Sequence, residues 1–114
     1  MMPTIMPGDT EDFSETLLIS VEQGVVSILG EEVMRSLLFN MENFQGLSRD
    51  EIPRRLDVFF PALEKAFGPI SGKTIGRFIV KVLYAKLGLE FVKQSNCGPL
   101  EYVEYARREL RKEK

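Results

Sequence analysis

The sequence predicts an all-α protein, a compact bundle of about five helices joined by short connections. Apolar residues recur at intervals of three and four along most of the chain, which is the pattern of helices with one buried face. Glycine or proline interrupts this pattern repeatedly, and no stretch alternates apolar and polar residues as a β-strand does. A chain of 114 residues, 44% apolar and 28% charged, fits one soluble globular domain.

The first part of the chain predicts a tail and two helices. Residues 1–12 hold three methionines, two prolines and three acids without an apolar period, so we expect a flexible N-terminal tail. Ser14 is a candidate N-cap for a first helix that ends at about Leu29, before Gly30. The apolar face of this helix comprises Phe13, Leu17, Leu18, Val21, Val25, Ile28 and Leu29. A second helix, from Glu31 to about Phe44, is expected to bury Val33, Leu37, Leu38, Met41 and Phe44.

The middle of the chain predicts one helical turn and two further helices. Ser48 and Glu51 have the spacing of a capping box, and Pro53 limits the helix there to about one turn. Asp57 is then a candidate cap for a third helix, with Phe59, Phe60, Leu63, Ala66 and Phe67 facing inward. After Gly68 and Pro69, a fourth helix is expected from about Ile70 to Leu87. Its predicted core face comprises Ile75, Phe78, Ile79, Val82, Leu83 and Leu87.

The last part of the chain predicts a loop and a C-terminal helix. Residues 94–98 are typical of a loop, and Pro99 can open a helix that carries Leu100, Val103, Ala106 and Leu110. We therefore divide the chain into a tail (1–12), a helical core domain (13–93) and a C-terminal segment (94–114). The apolar stripe of the last helix is satisfied equally well by packing on this core or on a partner.

The composition argues against catalysis. The chain has no histidine, no tryptophan and a single cysteine, Cys97, whereas histidine is the commonest general acid or base and metal ligand. We therefore predict that the protein is not an enzyme, with no cofactor and no metal site, and that Cys97 is a passive thiol. One cysteine forms no internal disulfide and no leader is apparent, so a cytoplasmic location is expected. The apolar runs are too short to span a membrane.

The charges are distributed unevenly. Residues 1–46 carry a net charge of −7 and residues 47–114 a net charge of +5. Such polarity indicates either a surface for a partner or nucleic acid, or attraction between the two halves within one fold. Within the basic half, Lys73, Arg77 and Lys81 follow one another at intervals of four on the fourth helix. This row is either a solvated helix side or a contact for an acidic partner or nucleic acid.

Two further features have structural and functional interpretations. The segment from Gly68 to Thr74 is similar to a phosphate-binding loop, but it has three residues between its glycines where that motif needs four. We therefore expect a connection between helices, with Ser71 as a possible N-cap. Tyr102 and Tyr105 on the last helix either pack on the core or form an interface, where tyrosine is enriched.

Several short segments carry a family resemblance. Gly30-Glu31-Glu32-Val33 opens a helix, and Leu47 to Pro53 forms a short loop that ends in Ile-Pro. Phe60 to Gly68 closes with Leu-x-x-x-Phe-Gly, and Ile79 to Leu89 contains Leu-Tyr-x-Lys-Leu-Gly. This order resembles a small helical domain of thaumarchaeal proteins, an output domain of signal transduction. The resemblance covers about half of the chain and offers no catalytic residues. It implies regulation through contacts, in an archaeal cytoplasm.

These observations leave three hypotheses for function. The leading one is a regulatory protein–protein interaction module, resembling a signalling output domain, that self-associates as a homodimer. The alternative is a nucleic-acid-binding protein that uses the basic row Lys73, Arg77 and Lys81. A third is an enzyme or small-ligand binder that uses a carboxylate or Tyr84 in a pocket between helices.

Overall fold

The architecture is an all-α bundle, as the sequence predicts. In the computed structural model, which describes residues 10–94 and 97–112, no strand occurs. The helices are α1 (Thr10–Leu29), α2 (Glu31–Gln45), a 3-10 helix (Arg49–Arg54), α3 (Leu56–Phe67), α4 (Pro69–Leu87) and α5 (Pro99–Lys112). None of the helices in these described ranges is long and apolar enough to cross a membrane.

Helix α4 is central to the packing. It lies against α1, α3 and α5, while α2 covers an outer side of α1. The core between these helices is made of fully buried aromatic and aliphatic side chains, including Phe13, Leu17, Phe59, Leu63, Ile79 and Leu83. Two buried glycines allow close approach of the helices, since Gly24 faces Ile79 and Gly72 faces the backbone of Glu64. Bulkier residues at these points would separate the helices.

Single glycines join consecutive helices. Gly30 stands alone between α1 and α2 with φ of 96°, and Gly68 stands alone between α3 and α4 with φ of 93°. Residues with a Cβ rarely adopt this conformation, so glycine permits both abrupt changes of direction. The capping box predicted at Ser48 is also present, and the Ser48 N–H donates to Glu51 Oε1 over 3.1 Å.

Some predicted helix starts were wrong. Helix α1 begins at Thr10, so Ser14 lies inside the helix. Of the predicted tail 1–12, residues 10–12 are helical and residues 1–9 lie outside the described residues. Burial of Phe13 in the core explains why the helix extends beyond Ser14. Asp57 lies in the first turn of α3, where a negative charge is favourable, and Arg55 occupies the N-cap position. Ser71 lies inside α4, and Gly68 occupies its N-cap position.

The burial of α2 differs from the prediction at its C-terminal end. Phe44 is 76% exposed, although it continues the predicted stripe. Gly46 adopts a left-handed conformation, and the Leu47 N–H donates to the Met41 carbonyl over 3.1 Å. This turn folds Leu47 back onto the core, where it is buried in place of Phe44.

Helix α4 is buried over a wider arc than the predicted stripe. Phe78 and Val82 are half-buried, whereas Val80 and Tyr84, outside the prediction, are buried. The reason is that α5 and residues 89–94 cover a second side of α4. On α3, Ala66 is exposed rather than inward-facing.

Helix α5 packs on its own chain. Val103, Ala106 and Leu110 are buried, and α5 contacts α3 and α4 of its own chain. The predicted loop 94–98 falls partly outside the described residues.

Candidate functional site

The three predicted cations lie on one outer side of α4, and we call them the basic face. Lys73 and Lys81 are exposed and Arg77 is half-buried, with an interval of four residues aligning them along the helix. None of the three forms an ion pair with another described residue. Helix α4 also carries Lys86 and contains no acidic residue. The basic face is therefore available for an anionic contact.

The segment that resembles a phosphate-binding loop is part of a helix connection. Gly68 ends α3, and α4 begins directly at Pro69, so residues 69 to 74 are already helical. The Thr74 hydroxyl donates to the Ile70 carbonyl within the same helix, over 3.0 Å. The structure therefore confirms the prediction of a helix–helix connection here.

The described surface has a groove beside α5, which we call the α5 groove. It has a volume of about 740 Å³, within the range of ligand sites. Helix α4, residues 90–94 and 97, and α5 supply its walls. The lining side chains are Tyr84, Glu90, Val92, Gln94, Cys97, Leu100, Glu101, Tyr102, Glu104, Tyr105 and Arg108.

The floor of the α5 groove is a fixed aromatic cluster. The Tyr84 hydroxyl donates to the Tyr102 carbonyl over 2.7 Å, and the Tyr102 hydroxyl accepts the Gln94 N–H over 2.6 Å. The Phe91 ring packs against both tyrosines, with centroid distances of 5.6 Å to Tyr84 and 4.9 Å to Tyr102. Burial raises the pKa of Tyr84 to about 12. These bonds tie residues 91–94 to α4 and α5.

The rim of the α5 groove is charged, and its walls expose apolar surface. The charged side chains that line the groove are three carboxylates and one guanidinium, those of Glu90, Glu101, Glu104 and Arg108. Glu101 also accepts the Gly98 N–H over 2.9 Å, which fixes its side chain. Val92 is 55% exposed and Tyr105 is 45% exposed, although both lie in the groove. The groove therefore suits an occupant that covers apolar surface and brings positive charge.

The two tyrosines of α5 have different environments. Tyr102 is only 5% exposed and belongs to the core. For this residue the structure shows packing on the core, which was one of the two predicted alternatives. Tyr105 stays on the surface, and its role at an interface remains a prediction. Cys97 is half-buried in the groove wall as a free thiol. No group of three or more side chains in the described part of the chain is placed to hold a metal ion.

The third hypothesis named a carboxylate or Tyr84 in a pocket between helices, and the structure places Tyr84 in the α5 groove. The sequence did not predict which carboxylates line this groove. Its carboxylates come from two segments, Glu90 after α4 and Glu101 and Glu104 on α5, and no motif connects them. The available signal was the pairing of Glu101 and Glu104 with Tyr105 on one side of the last helix.

The comparisons with known proteins identify no relative, since no family model, curated protein or solved structure matches the chain. The resemblance to the thaumarchaeal output domain therefore stays a prediction.

Proposed function

We propose that the protein is a regulatory protein–protein interaction module that acts by binding and not by catalysis, with the α5 groove as its docking surface. The observation that carries this proposal is the construction of the groove. Hydrogen-bonded tyrosines form a preformed floor, and the side chains of Val92 and Tyr105 remain uncovered above it. A rigid aromatic site loses little entropy on binding, so it suits the centre of an interface.

The resemblance to a thaumarchaeal signalling output domain supports the same proposal. Such a domain would pass on a signal by contacts with a separate protein in the archaeal cytoplasm. The unpaired thiol of Cys97 agrees with a reducing compartment.

An affinity capture with two matched variants tests the docking surface. The tagged protein is incubated with nuclease-treated lysate of its source cells, beside a Val92→Ala/Tyr105→Ala variant and a Phe39→Ala/Ile70→Ala control. Phe39 and Ile70 are exposed apolar residues outside the groove, so the control removes similar surface elsewhere. A partner held by the wild type and the control but lost with the groove variant supports the proposal. Equal capture by all three, or no captured protein, contradicts it.

The basic face favours a second candidate function, binding of nucleic acid. A helix with four cations, no acid and no ion pair to another described residue is able to contact several phosphates. Fluorescence anisotropy with labelled DNA and RNA oligonucleotides tests this candidate. Lys73→Glu/Arg77→Glu/Lys81→Glu should abolish binding, and unchanged binding would exclude this face.

A further inference from the structure

The basic face and the α5 groove border each other on the molecule. The Lys81 ammonium lies 5.5 Å from the centroid of the Phe91 ring. That ring is part of the aromatic cluster under the groove, where it packs against Tyr84 and Tyr102. The Phe91 ring thus connects one end of the basic face to the tyrosines that line the groove.

The two neighbouring surfaces have opposite charge. The basic face presents three cations, and the groove rim presents the carboxylates of Glu90, Glu101 and Glu104 against Arg108. When two copies face each other across a two-fold axis, the basic face of each can lie against the acidic groove rim of the other. A two-fold interface repeats each contact and closes the assembly, whereas a head-to-tail interface generates a ring or an open filament.

We propose that a second copy of this chain occupies the α5 groove, in a symmetric dimer in which the basic face of each copy lies against the groove rim of the other. This inference rests on the proposed function and names the partner. The dimer pairs Lys73, Arg77 and Lys81 of one copy with the rim carboxylates of the other. It also covers Val92 and Tyr105, which supply the apolar part that a stable interface needs.

Sedimentation equilibrium of the untagged full chain is the first test. We expect a species of twice the 13.0 kDa chain mass at low salt. Raising the salt from about 50 mM to about 500 mM shortens the range of electrostatic attraction severalfold and should shift the population toward monomer. A monomer at every concentration, a dimer indifferent to salt, or a series of species larger than the dimer would each overturn the inference.

Charge reversal and its rescue identify the contact. Variant one carries Lys73→Glu/Arg77→Glu/Lys81→Glu, and variant two carries Glu90→Lys/Glu101→Lys/Glu104→Lys. Each alone opposes like charges across both halves of the interface, so we expect the Kd of self-association to rise at least about tenfold. An equimolar mixture restores opposite charges at both contacts and should form a heterodimer. Failure of the mixture to associate, or dimers from either variant alone, would refute the proposed contact.

Matched controls place the same number of reversals elsewhere. Glu31→Lys/Glu32→Lys/Glu42→Lys on α2 and Arg35→Glu/Arg54→Glu/Lys65→Glu also alter exposed side chains, and both should dimerise as the wild type does. Far-UV circular dichroism checks that each variant is folded. If a triple variant is unfolded, the salt series on the wild type alone tests whether the dimer depends on charge. A monomeric wild type that still captures a partner through the groove would refute the dimer while retaining the proposed function.

Discussion

Replacement of Gly72 by alanine sets two physical effects against each other. Gly72 is buried on α4 at its contact with α3. A Cβ at this position would lie 2.5 Å from Glu64 Cα and 2.7 Å from Glu64 N. Both atoms belong to the backbone of α3, so no side-chain rotation relieves the overlap and the helices must separate.

The net effect follows from two magnitudes. Alanine is favoured over glycine inside a helix by about 1 kcal/mol. Overpacking costs about 1–3 kcal/mol, and the upper end applies here because backbone atoms must move. We therefore expect Gly72→Ala to lower the free energy of unfolding by about 2 kcal/mol, with a fall in Tm of roughly 5–10 °C.

Urea unfolding followed by far-UV circular dichroism measures this difference. The neighbouring exposed residue Ser71 supplies the control, because Ser71→Ala and Ser71→Gly compare the same two residues without the contact. At position 71 the alanine variant should be more stable than the glycine variant by about 1 kcal/mol. At position 72 the order should be reversed, with the wild-type glycine more stable than alanine. A Gly72→Ala protein more stable than the wild type would refute the close approach of α3 and α4.

Three other changes test the packing, the pH response and an ion pair. Phe44→Ser should alter the free energy of unfolding by less than about 0.5 kcal/mol, because Phe44 is exposed, whereas Phe59→Ala should remove about 3–5 kcal/mol from the core; equal losses in urea melts would contradict the burial described. Burial raises the pKa of Tyr84 from 10.0 to about 12, so the neutral hydroxyl stabilises the fold below pH 10 and this contribution is lost as the pH rises toward 12. Thermal melts between pH 10 and pH 12 should show Tm falling more steeply with pH for the wild type than for Tyr84→Phe. Parallel curves of Tm against pH would argue against a raised pKa of Tyr84. Arg49 connects the 3-10 helix to Glu22 on α1, with Nη2 3.1 Å from Oε1, and this pair is partly exposed. Arg49→Ala should therefore cost at most about 1 kcal/mol, and less at high salt; a larger, salt-independent loss would contradict this assignment.

The ends of most helices could be predicted because local chemistry sets them. Gly30, Gly46, Gly68 and Gly88 each follow an apolar stripe, and each stands at a helix end with a positive φ. The start of α1 was harder, since Phe13 was expected on the apolar face but no apolar period before it marked Thr10 as the first helical residue.

The orientation of individual side chains depends on contacts that the sequence does not show. Phe44 fits the apolar stripe of α2 but is exposed, because the turn at Gly46 buries Leu47 in the core instead. Tyr84 lies outside the predicted stripe of α4 and is buried because a segment without periodicity crosses over it. The α5 groove arises at this crossing, so it could not be predicted from the period of any single helix.

The position of the tyrosines gives the protein a natural optical probe. The chain contains three tyrosines and no tryptophan, and all three tyrosines line the α5 groove. Ultraviolet emission excited at wavelengths that tyrosine absorbs and phenylalanine does not therefore comes from this one place, without a dominant indole signal to obscure it. An occupant of the groove would change the surroundings of every emitter at once, so binding could be titrated with no added label.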